Sequence, residues 1–160
     1  MTPTSLNRAQ RRQAEKNARR GIVHTERIVP LPAMLDEFTV FDMPQSIIEQ
    51  LKNGAIDTAE DVPVFRDNSG QWCEVVPALE GWLFTWRKIN TELSLGLSFY
   101  YLTLLSNRLS KGEFLHPKHI EHSTNELMAC RVAFRKADRK KIVSIAKTAQ
   151  LQILLNPTIN

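Results

Sequence analysis

The stretch NRAQRRQAEKNARRG, from Asn7 to Gly21, carries Arg8, Arg11, Arg12, Lys16, Arg19 and Arg20 against one acid, Glu15. Side chains of this kind grip anions. A guanidinium presents a planar fork of donors that matches phosphate and stacks on bases, whereas an ammonium is a point charge. Five arginines to one lysine therefore favour nucleic acid over a generic acidic surface. At about 100° per residue the six cations fall within one half of a helical cylinder, and Gln10, Gln13, Asn17, Ala14 and Ala18 fill the other. Ser5 suits the N-cap of such a helix and Gly21 its C′ position, while Arg11, Glu15 and Arg19 make two opposite-charge pairs at four-residue spacing. No apolar stripe runs along it. A short helix without tertiary burial is marginal in water, so the arm is expected to be frayed until something binds it.

A second basic tract, RVAFRKADRKK, places Arg131, Arg135 and Arg139 at four-residue steps, a cationic stripe beside Cys130 and Phe134. It could extend the binding surface of the arm or be a solvated helix face. If Asp138 caps a new helix, Arg139, Lys140 and Lys141 stand at its positive end, where an anion would relieve them.

Other chemistry is weakly encoded. His116, His119 and His122 recur at three-residue spacing, yet Pro117 pushes His116 off the helix and no further ligand pattern completes a metal site. Surface histidines at a helix start, without metal, are the expectation. Cys73 and Cys130 lie 57 positions apart with no neighbouring base that would make either a nucleophile. Cys130 falls on an apolar helix face. Trp82 and Trp86, four apart among leucines, read as core before they read as a base-stacking platform. No Gly-rich phosphate loop and no internal repeat is present. Neither enzymatic activity nor a cofactor is expected.

The segment RAQRRQAEKNAR resembles in kind the arginine-rich arm of the lambdoid phage N antitermination proteins, with closely spaced arginines, an internal Ala-Glu-Lys and a polar continuation. The resemblance covers about a tenth of the chain. It implies an RNA hairpin as ligand, with Arg8, Arg11, Arg12 and Lys16 at positions that face phosphates. The aromatic that stacks on the hairpin loop in those arms has no counterpart between Asn17 and Arg20.

The elements that must carry these residues follow from length and patterning. A chain of 160 residues with 42% hydrophobic and 24% charged residues suits one globular domain plus a tail. Residues 1–27 hold seven Arg or Lys against two acids, residues 28–80 two against ten, and residues 81–160 twelve against five. Separate basic and acidic surfaces are implied, or an arm and an acidic segment that neutralise each other. The basic start runs into polar residues, so no secretory signal is expected, and two cysteines with no pairing motif suit a reducing cytoplasm. The most apolar stretch, LSLGLSFYYLTLL, has 13 residues where a bilayer span takes about 20, so no membrane partner is expected.

Residues 1–34 are read as the basic arm and an extended linker, with Pro30 and Pro32 in IVHTERIVPLPAM excluding regular helix. Residues 35–157 are read as one mostly helical domain. In it, LDEFTVF has strand composition, MPQSIIEQLKNG suits a short helix with Pro44 near its start, and DVPVFRDNSGQWCEVV suits a hairpin turning at Asp67 to Gly70. Helix follows from Pro77, with Leu79, Trp82, Leu83 and Trp86 on one face. A second helix is expected over Leu93 to Leu109 with Asn90 or Thr91 as cap, a third from Pro117 through Phe134, and a fourth from Arg139 to Leu155. Asp138 either divides the last two or sits inside one long helix.

The fold class expected is mainly α, an α+β domain of about four helices with a small β-hairpin behind a flexible arginine-rich arm. The function expected is that of a non-enzymatic nucleic-acid-binding accessory protein, structured RNA favoured over duplex DNA. The alternative is an assembly module of phage or mobile-element type whose arm docks on an acidic protein.

Overall fold

The computed structural model describes residues 37–155, together with Arg12 and the strand Ile22–Val23. In chain order the described elements are β1 (Ile22–Val23), α1 (Glu37–Lys52), β2 (Asp57–Ala59), β3 (Val62–Arg66), β4 (Trp72–Glu74), α2 (Val75–Leu93), α3 (Tyr100–Ser110), α4 (Pro117–Lys136) and α5 (Arg139–Leu155). The molecule is mostly helical with a small sheet, as its patterning predicts.

The strand expected in LDEFTVF is absent, because from Glu37 onward those residues are the first turns of α1. Their β-rich composition is overridden by burial: Val40, Phe41, Ile47, Ile48 and Leu51 repeat at helical intervals and turn towards the interior. Pro44 therefore lies inside a helix, not at its start. A proline there has no N–H for the carbonyl four residues back, which is that of Val40. The indole Nε1 of Trp82 donates to that carbonyl at 3.1 Å and replaces the missing donor.

The expected hairpin is β3 and β4, with Val64 opposite Glu74 and Arg66 opposite Trp72. Asp67 builds its turn: one carboxylate oxygen accepts from the backbone N–H groups of Ser69 and Gln71, each at 2.9 Å, and from the Ser69 hydroxyl at 2.6 Å. Burial opposes the charge of Asp67, but these donors outweigh it and hold the carboxyl below its usual range. β2 adds antiparallel to β3 through Glu60 and Asp61, both at positive φ as a tight two-residue hairpin turn requires. β1 pairs parallel to β4, with Ile22 opposite Trp72, giving the order β1-β4-β3-β2.

The helix expected over Leu93 to Leu109 is broken. Ser94 takes a left-handed conformation that ends α2, Gly96 has φ of 66°, and the next helix starts only at Tyr100. Asn90 caps no new helix. It lies in α2 and clasps the intervening loop, accepting from the Leu97 N–H at 2.8 Å and donating to the Leu97 carbonyl at 3.2 Å. Leu93, Leu95, Leu97 and Phe99 alternate inward along this loop, the period of extended chain. α3 has no cap of its own. Glu126 of α4 supplies one, its two carboxylate oxygens accepting from the Leu102 N–H and the Ser98 hydroxyl, each at 2.8 Å.

α1 packs on α4, α2 on α3 and α5, and α3 on α4. Phe41 forms the centre, its ring 5.3 Å from Trp86, 5.7 Å from Phe134 and 6.1 Å from Trp82. Between α4 and α5 the chain breaks at Ala137, which is extended, and the Asp138 carboxylate accepts from the Lys140 N–H at 2.9 Å to start α5. Asp138 thus divides two helices.

Candidate nucleic-acid interface

Of the arm cations, Arg8, Arg11, Lys16, Arg19 and Arg20 lie outside the described residues, while Arg12 is helical and exposed. Arg20 precedes Ile22 by two positions, so the arm joins the domain where β1 meets Trp72 of β4.

The second tract is fully described, and its stripe of arginines converges on a residue that sequence reading did not single out. Arg135 grips Glu37, at the first turn of α1, with two bonds: Nε to Oε2 at 2.9 Å and Nη2 to Oε1 at 2.6 Å. Arg131 Nη1 stands 3.7 Å from the same carboxylate, donates from Nη2 to Gln45, and lies over the ring of Phe41. The Arg135 hydrogen bonds above all, with the charges of Arg131 and Arg139, hold the Glu37 carboxyl below the usual range despite some desolvation. Arg139 lies 5.4 Å over the Phe134 ring and is exposed. Glu37 stands 98 positions before Arg135, so no local spacing could have linked them.

In the same tract Lys136, Arg139, Lys140 and Lys141 are exposed and, among the described residues, form no ion pair. From Arg131 to Lys141 the one acid is Asp138, whose carboxylate is engaged at the start of α5.

The other candidates fall elsewhere. His116 is the N-cap of α4, its Nδ1 accepting from the Lys118 N–H at 3.2 Å. His119 is held below its usual value by desolvation, then by Arg108 and the two other histidines. His122 stacks on Tyr101 with ring centroids 4.4 Å apart. Among the described residues no three His, Cys, Asp or Glu side chains meet in a metal-binding group. Cys73 and Cys130 are both buried, and burial together with Glu126 pushes the Cys130 thiol up to about 12. Trp82 and Trp86 are buried against each other in the core.

A groove of about 310 Å³ runs between α1 and α4, lined by Ile48, Leu127 and the exposed Met128 and Val132 together with Arg131 and Arg135. Beside it, a cavity of about 460 Å³ is lined by Leu51, Leu115, Ile120 and the exposed Phe114. Among the described residues no helix is long and apolar enough to cross a membrane.

Comparison with family models, with curated proteins and with solved structures finds no match to this chain.

Proposed function

We propose that this chain is a non-enzymatic nucleic-acid-binding accessory protein of the cytoplasm, with structured RNA as the favoured ligand and the arginine-rich arm as its principal contact. The observation that carries the reading is the composition of the arm, five arginines and one lysine on one half of a helical cylinder with no apolar face to bury. Such a segment gains order from a polyanion that it cannot gain from a core. The exposed cations at the α4–α5 corner support it, since they add to the positive field of the domain.

The test is a titration of a labelled RNA hairpin and a random-sequence duplex DNA at two salt concentrations. Replacing Arg8, Arg12 and Arg19 together with Ala keeps helix propensity, so loss of binding reports the lost contacts. Affinity and its salt dependence should both collapse, whereas replacing Gln10, Gln13 and Asn17 should change little. Exchange of the three arginines for lysine should weaken the hairpin more than the duplex. An alanine variant that binds as the parent does removes this reading.

A second reading, a phage or mobile-element assembly module, draws on the α1–α4 groove with its exposed Met128 and Val132. Its arm would dock on an acidic protein, and it takes first place if the arm proves indifferent to nucleic acid.

A further inference from the structure

Two guanidinium groups, those of Arg131 and Arg135, stand within 3.7 Å of one carboxylate, that of Glu37, and Arg139 adds its positive charge without touching it. A latch between two helices needs a single such pair. Here the cationic charge exceeds the acid threefold, before Lys136, Lys140 and Lys141 are counted. Three of these cations, Arg139 to Lys141, also stand at the N-terminal end of α5, where they work against the helix dipole. An excess of this kind is unfavourable in the free protein and becomes favourable when an anion arrives.

The form of the contact indicates which anion. Arg135 holds Glu37 with two parallel bonds, the arrangement in which a guanidinium also holds two oxygens of a phosphate. The Glu37 carboxylate thus stands in for a phosphate at the centre of the cluster. Arg135 remains 60% exposed, so a ligand reaches it from solvent, whereas Arg131 is 22% exposed and also engages Gln45 and Phe41. Arg131 is the fixed member and Arg135 the accessible one. Arg139 lies 5.4 Å over the Phe134 ring and, among the described residues, forms no ion pair.

We propose that the α4–α5 corner is a second contact for the phosphate backbone of the nucleic acid, in which Arg139 and Arg135 bind phosphate and Glu37 is an internal competitor that occupies Arg135 until a phosphate replaces it. The proposal rests on the nucleic-acid reading given above and adds to it a site on the folded domain and a residue that sets its strength.

The experiment uses the full chain and a fluorescein-labelled RNA hairpin, with anisotropy recorded over a series of salt concentrations. Arg139→Ala should weaken binding and reduce the slope of log affinity against log salt by about 0.9, one phosphate contact on a duplex stem. Glu37→Gln removes the competitor but keeps its shape, and should strengthen binding and steepen the slope by a similar amount. A folded Glu37→Gln variant that binds no more tightly than the parent overturns the competitor role. Should that variant not fold, Arg139→Ala decides, with far-UV circular dichroism confirming that loss of the side chain over Phe134 leaves the helices intact. Unchanged binding by Arg139→Ala overturns the site. If the arm alanine variant loses the hairpin while both corner variants bind as the parent, the corner fails and the arm stands. A parent chain that binds no hairpin at any salt removes both.

Discussion

Pro44 and Trp82 are coupled through one carbonyl oxygen. The proline deprives the Val40 carbonyl of its partner within α1, and the Trp82 indole restores it from α2. Trp82→Phe should therefore cost about 1–3 kcal/mol in urea unfolding, because an acceptor loses its donor as well as some packing. In a Pro44→Ala background the helix supplies its own N–H to Val40, and the same substitution should cost about 1 kcal/mol less. Strictly additive effects in this double-mutant cycle would show that the indole contributes packing alone.

Glu126 links elements rather than residues. Its carboxylate comes from the middle of α4 and closes the start of α3, which has no capping side chain of its own. The Leu102 N–H that it satisfies is buried, so Glu126→Ala should destabilise the fold by about 2 kcal/mol. Glu126→Gln keeps an oxygen for one of the two donors and should cost less. Equal losses for the two variants in chemical denaturation would mean that the cap is not the source of the stability.

At the scale of the molecule, the Arg135–Glu37 contact ties the first turn of α1 to the last turn of α4 and so closes the helical layer. Glu37 has its carboxyl lowered in the folded chain, chiefly by the Arg135 hydrogen bonds. The unfolded chain therefore takes up this proton first as pH falls. The contribution is complete above the ordinary glutamate value of about 4.3 and declines as pH falls through the lower, folded value. Melting curves of the parent and of Glu37→Gln should thus differ at about pH 7 and converge as pH falls below the lowered folded value, where both side chains are neutral. A gap that stays constant over that range would place the effect of the substitution in packing, not in charge.

Length, periodicity and turn chemistry were enough to read the helical class, the β3–β4 hairpin at Asp67 to Gly70, the buried tryptophans and the helical runs of α4 and α5, because each is written in contiguous residues, but not the break at Asp138 between those two helices. The arginine-rich arm was equally legible as a composition. What failed was local inference where tertiary burial outweighed it: Val40 and Phe41 in α1 are strand formers held in a helix, and the run from Leu93 to Leu105 looked like one helix while Ser94 and Gly96 turned it into a loop. Period-two leucines at 93, 95 and 97 carried the loop signal, hidden by their high hydrophobicity. Contacts across long sequence separations left no trace in any window. The Trp82 donor to Val40, the Glu126 cap on α3 and the Arg135 grip on Glu37 each join residues 24 to 98 positions apart. Only the packing of α1 against α2 and α4, and of α3 against α4, brought those groups together, since distance in space, not order in the chain, sets a hydrogen bond.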